Sequence, residues 1–414
     1  MSGYLTKIKT KIPYANKEVD IDVNGKTLIL TGGNGCGKTQ LLKLIYEKLK
    51  TSVVDRQNFN LTDVKNNLRH HQNQLNSIGP AHQSYQHFLK QVEIYTQQIE
   101  NISNPPIEVR NLEEFVVNYQ ELKALLVEFE AMRESKIIKP SSVSSINSLR
   151  EQDKKIIQQH QLNKTSTSTL FEQFLVTNKA NQAFSESEKI NNNPEEAARI
   201  DKWFNKIESD LRDLFEDQDL QLVFQSESFS FEIHQPRKEP YTFQTLSSGF
   251  SSIMTVYADL ITKVSLRSID PEELTGVVLI DEIDAHLHVS LQKKILSFLT
   301  TAFPKVQYIV TTHSPFVVSS VNDAVIYDLS NLEQVEDLSM YSYEAVLEGL
   351  FGVLPISSSL KKSIDDLAKL LEKRPFDPEK VQSLLDKLPQ EESLDSESLY
   401  FVNSAKLAIN KAKR

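Results

Sequence analysis

The sequence predicts an α/β fold, on the evidence of three short apolar segments with the composition of buried strands. The first lies in "LILTGGNGCGKTQLLKLI", residues 28–45, where it runs into a glycine cluster and then a helical pattern. The second, 277–280, ends in two carboxylates, and the third, 308–310, ends near a histidine. Helical patterns between these segments complete the alternation that is typical of α/β proteins.

The composition is that of a globular protein with more than one structural unit. The chain has 414 residues, of which 39% are hydrophobic and 25% charged. The net charge of −10 excludes a basic field over the whole molecule. The single cysteine, Cys36, allows no internal disulfide, and no run of roughly 18 apolar residues predicts a membrane span. We therefore expect a cytoplasmic protein with no membrane partner.

The glycine cluster satisfies a complete phosphate-loop pattern. Gly32 is followed by four residues and then by Gly37-Lys38-Thr39, between a strand and a helix. Glycines allow backbone N–H groups to face phosphate oxygens, and the start of the helix adds positive charge. We expect Lys38 to contact the β- and γ-phosphates and the Thr39 hydroxyl to bind Mg²⁺. The predicted nucleotide contacts are Gly32, Asn34, Gly35, Cys36, Gly37, Lys38, Thr39 and Gln40. Cys36 is interpreted as a small spacer, with a redox role as the alternative.

Two later segments supply residues suited to the same chemistry. Asp281 and Glu282 end the strand that begins in "GVVLIDEIDAHLHVSLQ". Asp281 is predicted to support Mg²⁺, and Glu282 to orient the attacking water. His313, in "YIVTTHSPF", follows the next strand and is predicted to sense the γ-phosphate.

A serine-rich turn precedes a helical apolar pattern. Ser247, Ser248 and Gly249 in "TLSSGFSS" stand before Ile253 and the apolar positions that follow it. Hydroxyls and N–H groups at a helix start can bind an anion. The alternative is an ordinary helix N-cap.

The order of these motifs resembles the ATPase heads of ABC-type proteins, in the branch of RecF, SMC and OLD-like ATPases. The resemblance covers residues 1–50 and about 200–330, including an "LSSG" signature, "DEIDAHLHVSLQ" and "TTHSP". Phe250 departs from the Gln or Glu of many relatives, "DEID" differs from the transporters, and Gln57 and Gln173 are only candidates for the family's Q-loop.

The resemblance implies a mechanism that uses two subunits, ATP and Mg²⁺. Lys38, Thr39, Asp281, Glu282 and His313 would serve one nucleotide. Ser247 and Gly249 would contact the γ-phosphate of the nucleotide held by the partner, and residues 284–288 would cross the interface. A homodimer is then the minimum active unit, and a higher homo-oligomer is compatible with it. A metal pair of His286 and His288 is disfavoured, because no third ligand is apparent in the sequence.

Two helical regions accompany the predicted head, which comprises 1–59 and 166–335. Residues 60–165 are predicted as an inserted antiparallel coiled-coil hairpin, with a compact helical lid as the alternative. Its first arm rests on Phe88, Val92, Tyr95, Ile99 and Ile102, and its second on Leu112, Phe115, Tyr119, Leu122, Leu126 and Phe129. Residues 336–414 are predicted as a helical tail for docking, without a nuclease motif.

The resemblance extends to the ATPases of the Septu, PARIS and retron systems of anti-phage defence. It implies an ATPase that gates a separate effector, a nuclease or toxin. The alternative is a RecF-like DNA-repair ATPase, with nucleic acid as a partner near Lys7, Lys9 and Lys11. A non-enzymatic scaffold is disfavoured by Asp281 and Glu282, and a transporter ATPase by the insertion and the "THSP" segment.

Overall fold

The computed structural model describes residues 3–55, 61–103, 105–133, 137–158, 166–336, 338–351, 357–373, 375–390, 394 and 396–412. Contacts divide the chain into two compact units, Met1–Met340 and Tyr341–Arg414. The strands are β1 (Leu5–Ile12), β2 (Lys17–Asp22), β3 (Thr27–Thr31), β4 (Ile107–Val109), β5 (Ala124–Phe129), β6 (Gln221–Gln225), β7 (Ser230–His234), β8 (Thr275–Ile280), β9 (Val306–Thr311), β10 (Ala324–Asp328) and β11 (Glu333–Glu336). The helices of the first unit are α1 (Lys38–Val53), α2 (Leu61–Ser77), α3 (Tyr85–Ser103), α4 (Leu112–Gln120), α5 (Ile146–Gln158), α6 (Phe171–Glu186), α7 (Pro194–Phe215), α8 (Ser248–Arg267), α9 (Val289–Gln292), α10 (Ile295–Ala302) and α11 (Pro315–Val318), with 3₁₀ turns at Thr167–Leu170 and Phe243–Thr245.

The central sheet of the first unit has six strands in the order β11-β10-β3-β9-β8-β5. All neighbours are parallel except β11, which pairs antiparallel with β10. The carboxyl ends of parallel strands lie at one edge, so the segments that follow β3, β8, β9 and β5 meet there. The predicted α/β fold is confirmed.

Helix α1 packs in a core shared with a second sheet of order β2-β1-β4. Its predicted apolar positions Leu41, Leu42, Ile45 and Leu49 are all fully buried. Burying such side chains stabilises by about 1.5–3 kcal/mol each. This packing fixes the start of α1 at the end of β3, which is where the phosphate loop lies.

Helix α8 is buried along almost its whole length. The predicted apolar positions Ile253, Val256, Tyr257 and Leu260 all lie in the core. Its buried Arg267 pairs with Asp153 of α5 at 3.1 Å, so the charge taken into the core is matched. This ion pair therefore holds α8 against α5.

The predicted insertion is wrong in its second half. Helices α2 and α3 form a hairpin, and Phe88, Val92, Tyr95 and Ile99 are half-buried positions on α3. The run predicted as the second arm instead forms α4 and β5. β4 pairs with β1, and β5 pairs with β8 in the central sheet, so this run belongs to the head. The cause is that "ALLVEF" is a short, continuous apolar run, and such runs suit a helix or a buried strand equally.

The hairpin is consequently short. Its helices have 17 and 19 residues. A rise of about 1.5 Å per residue gives arms of roughly 25–30 Å, against the ~45 Å expected from the longer predicted arms. Its description as a coiled coil stays a prediction.

The second unit is helical, as expected for the tail. Its helices are α12 (Tyr343–Phe351), α13 (Ser358–Glu372), α14 (Pro378–Leu385) and α15 (Ser396–Ala412). Helices α13, α14 and α15 share a core of Ile364, Leu367, Val381, Val402, Ala405 and Ile409. Among the described residues of the whole chain, none of the helices has the length and apolarity needed to cross a membrane.

Candidate nucleotide-binding site

The phosphate loop joins β3 to α1 through glycines in left-handed conformations. Gly32, Gly35 and Gly37 have φ angles of 128°, 75° and 105°. Only glycine adopts these angles without strain. A Cβ atom at Gly32 would also lie 2.9 Å from the Ser330 hydroxyl oxygen. The local geometry thus explains the glycine spacing that identified the loop.

Lys38 opens α1 and turns its side chain back into the loop. Its Nζ donates to the carbonyl oxygens of Gly32 and Gly33 at 2.9 and 3.1 Å, and lies 3.8 Å from the Cys36 sulfur. The residue is only 6% exposed. The positive charge of Lys38 is therefore held inside the loop, against two of its carbonyl oxygens. Asn34, Gly35 and Gln40 lie at the exposed surface of the same segment.

The turn after β10 supports the loop from behind. The Ser330 hydroxyl accepts the Gly33 N–H at 2.8 Å, and the Ser330 N–H donates to Asp328 Oδ1 at 2.7 Å. Ser330 and Asp328 were not predicted as site residues. The sequence contains no local signal for this contact, because nearly 300 residues separate the partners.

Asp281 links the phosphate loop to the acidic strand. The Thr39 hydroxyl lies 3.1 and 2.9 Å from the two carboxylate oxygens of Asp281. The Thr311 hydroxyl, at the end of β9, donates to the same carboxylate at 2.6 Å. Mg²⁺ is usually held by one or two protein oxygens with phosphates and water, so the hydroxyl of Thr39 and the carboxylate of Asp281 fit this cation.

Glu282 stands directly after Asp281 in a strained turn. Its φ angle is 44°, which is uncommon for a residue with a side chain. The Thr311 hydroxyl accepts its N–H at 2.7 Å. Strain of roughly 1–3 kcal/mol is kept only where surrounding contacts enforce it, and such positions cluster at functional sites. Glu282 is half-buried in this turn, directly beside Asp281.

Arg133 holds this turn and was missed in the sequence. It follows β5, and its guanidinium donates to the carbonyl oxygens of Asp281, Glu282 and Ile283 at 2.5, 3.1 and 3.5 Å. Burial lowers the pKa of Arg133 to about 10, against the opposing effect of the nearby carboxylates, so it stays protonated at neutral pH. The residue could not be found while β5 was interpreted as a helix.

His313 follows β9 and is half-buried. Burial, and then the charge of Lys38, lowers the pKa of the imidazole, although Asp284, Glu282 and Asp281 act in the opposite direction. The imidazole is therefore neutral at pH 7. The preceding Thr312 hydroxyl donates to Asp284 Oδ1 at 2.5 Å, which ties the histidine segment to the turn after Glu282.

The "LSSG" segment forms the start of α8. Ser247 occupies the N-cap position, but its side chain makes no capping hydrogen bond, and both Ser247 and Ser248 are exposed. Gly249 is buried, and a Cβ atom there would lie 2.8 Å from the carbonyl oxygen of His286. Phe250 stacks on Phe215 of α7 with ring centroids 4.3 Å apart, which gives its departure from the family pattern a packing role.

The remaining candidates have local contacts. The His288 ring accepts the Ser290 N–H as the cap of α9. A metal site at His286 and His288 would need a third ligand. Among the described residues, no group of three or more His, Cys, Asp or Glu side chains could hold a metal ion. The Gln173 amide donates to the Ser142 carbonyl at 2.8 Å, and Gln57 lies outside the described residues.

Two relatives in sequence are named as a probable retron ATPase and as a Septu protein. The chain is 33% identical over 162 residues to "Retron Ec83 probable ATPase" of Escherichia coli, covering 37% of this chain and 30% of the relative. It is 29% identical over 208 residues to "Septu protein PtuA" of Bacillus mycoides (strain KBAB4), covering 46% and 28%. The aligned segment thus spans under a third of either relative.

Solved structures and a family model complete the comparison. The SMC head bound to the C-winged helix domain of ScpA matches with a TM-score of 0.38 and 12% identity, over 80% of this chain and 96% of that one. The SMC head domain from Thermotoga maritima matches with a TM-score of 0.34 and 12% identity, over 78% and 94%. Residues 28–319, which hold the loop, the acidic turn and His313, match the model of one ATPase family. The chain belongs to that family, described as AAA domain, putative AbiEii toxin, Type IV TA system.

Proposed function

We propose that this chain binds and hydrolyses ATP and that its nucleotide state controls a separate effector, a nuclease or toxin, in defence against phage. One observation carries the ATPase part of the proposal. The Thr39 hydroxyl lies 2.9 Å from the Asp281 carboxylate, which joins the phosphate loop to the acidic strand. Two segments more than 200 residues apart are thereby adjacent, and their hydroxyl and carboxylate oxygens suit Mg²⁺–ATP.

The geometry supports a division of roles among the site residues. The loop amides and the Lys38 ammonium would bind the β- and γ-phosphates, and Thr39 and Asp281 would hold Mg²⁺, which neutralises phosphate charge when bound. Glu282 would accept a proton from, or orient, the attacking water. The neutral His313 would donate a hydrogen bond to the γ-phosphate. Catalysis then rests on positioning and electrostatic stabilisation.

The exposed start of α8 suits the role that the family resemblance implies for the signature. Ser247 and Ser248 present hydroxyls at a helix N-terminus that they do not cap. In a homodimer, or a higher homo-oligomer, this surface would complete the site of the partner subunit. Closure of two heads around ATP would be the event that an effector senses.

The names of the relatives support the defence role, and the basic segment gives little support to the DNA-repair alternative. Lys7 forms ion pairs with Asp20 and Asp22 at 3.1 and 3.0 Å, and Lys9 lies 3.7 Å from Asp20. Two of the three lysines invoked for DNA binding are thus matched by carboxylates. Specific DNA binding needs several cations free to contact phosphates.

The test is native mass spectrometry of Glu282→Gln purified from its host, with and without ATP. A co-purifying protein that leaves or joins with ATP would support control of an effector. An ATP-dependent homodimer carrying only nucleic acid would instead favour the repair alternative. A chain that remains monomeric and alone in both conditions would contradict both.

A further inference from the structure

We propose that Arg133 is a positioning residue that keeps the acidic turn, residues 281–283, in its active form. It also links this turn to α8, the helix that begins in the "LSSG" segment of the same subunit. This inference rests on the proposed function. It concerns a residue outside the motifs that identify the site. The hydrogen bonds of Arg133 go to the backbone of the acidic turn, through which it would act.

Arg133 contacts the backbone of the acidic turn through its guanidinium. The Arg133 guanidinium donates to three successive carbonyl oxygens, those of Asp281, Glu282 and Ile283. Successive carbonyls of a strand point in opposite directions, whereas the left-handed φ of Glu282 breaks that alternation here. The three carbonyls can therefore face the guanidinium of Arg133, and the guanidinium in turn favours the left-handed conformation of Glu282.

The choice of arginine matters for this contact. Its planar fork presents five donors in fixed directions, whereas a lysine ammonium is a compact charge on a flexible stem. Arg133 is 7% exposed, so donors left unpaired there would be costly. Its hydrogen bonds go to carbonyl and hydroxyl oxygens. The carboxylates of Asp281 and Glu282 therefore do not pair with Arg133, which suits their proposed roles toward Mg²⁺ and the attacking water.

Arg133 also contacts α8. Arg133 Nε donates to the buried Ser252 hydroxyl at 3.2 Å, one turn after Gly249. Gly249 itself lies against the His286 carbonyl, because a Cβ atom there would come within 2.8 Å of that oxygen. The acidic turn region and the start of α8 therefore touch at two points. A shift of the turn on nucleotide binding would move the exposed serines that face a partner subunit.

The experiment compares Arg133→Lys and Ser252→Ala with Arg150→Lys. Arg150 is the control, since its guanidinium also bonds the α8 region but at the opposite end, through Leu266 O at 2.9 Å and the hydroxyl of the C-cap residue Ser268 at 2.7 Å. ATP affinity, kcat and ATP-dependent association are measured for each variant, with thermal unfolding as the measure of folding.

We expect Arg133→Lys to keep its ATP affinity within about threefold and its folding, while kcat falls at least ~10-fold, since only the geometry of the turn is altered. Ser252→Ala should lower kcat less and weaken ATP-dependent association. Arg150→Lys should match the wild type in all three measurements.

Equal kcat and association in Arg133→Lys and wild type would overturn the inference. So would a loss of folding in Arg133→Lys that accounts for its loss of activity, because the residue would then be merely structural. A wild type that neither binds nor hydrolyses ATP would instead show that the proposed function fails, and this inference would fall with it.

Discussion

The carboxyl edge of the central sheet and the α2–α3 hairpin are stabilised in opposite ways. At the edge, a single residue has several partners: the carboxylate of Asp281 receives hydrogen bonds from Thr39 and Thr311, and its carbonyl oxygen receives one from Arg133. These three partners come from three distant parts of the chain. In the hairpin, each helix packs on its neighbour, as when His71 stacks on Tyr95 with ring centroids 5.3 Å apart.

This difference determines how far the effect of a substitution extends through the molecule. A change at the edge alters several segments together, because each residue there is held by more than one partner. A change in the hairpin stays local, because its contacts join residues close in sequence. We therefore expect catalytic effects from the edge and little effect on the head from the hairpin.

Lys38→Ala should produce the largest effect. It removes an ammonium that is positioned for the phosphates, and charge-assisted hydrogen bonds contribute roughly 1.5–3 kcal/mol each. We expect ATP affinity to fall at least ~100-fold, measured by titration of a fluorescent ATP analogue with Mg²⁺. Lys43→Ala, one turn later in α1, is the control and should bind normally. Unchanged affinity in Lys38→Ala would remove the phosphate-loop assignment.

Glu282→Gln should separate binding from hydrolysis. The amide keeps the shape of the side chain but cannot act as a base, and general bases contribute about 10²–10⁴-fold in rate. We expect steady-state hydrolysis to fall by at least ~100-fold, while ATP affinity stays within a few-fold. Turnover at the wild-type rate would show that another residue orients the water.

A pair of apolar-to-acid substitutions tests the comparison of the two regions directly. Leu126 lies in β5 and is 1% exposed, whereas Ile99 is a half-buried position of α3. An unpaired charge in the core is costly, so Leu126→Asp should destabilise the head by several kcal/mol. Ile99→Asp should weaken only the hairpin and leave ATP hydrolysis intact. Thermal unfolding and hydrolysis assays check both, and a hydrolysis defect in Ile99→Asp would join the hairpin to the site.

The pH dependence of His313 should give the smallest effect. Burial and Lys38 lower the pKa of this imidazole below its ordinary value of about 6.5. Between the two pKa values the unfolded chain binds more protons, so stability decreases as the pH falls below ~6.5. His313→Asn should lose less stability over that range than the wild type, as measured by denaturant unfolding. The difference is small because water screens a half-buried group, and a wild-type loss beginning well above pH 6.5 would contradict the lowered pKa.

The comparison also explains which features the sequence could indicate and which it could not. The phosphate loop was predictable because its glycines, Lys38 and Thr39 are adjacent in sequence and their spacing follows from backbone geometry. Asp281 was predictable because an apolar strand ends in it. The second arm of the hairpin was predicted wrongly, since the period of residues 112–129 suits a helix and does not reveal that β5 pairs with β8.

The α/β class, the phosphate loop and the acidic strand could be predicted from the sequence, because each depends on residues that are neighbours along the chain. Three features required the folded structure: β5 completes the sheet, Ser330 supports the loop, and Arg133 holds the strained turn. These features depend on hydrogen bonds between residues more than 100 positions apart, which leave no periodic trace in the sequence. The roles proposed for the site residues rest on where the folded chain brings their polar atoms together.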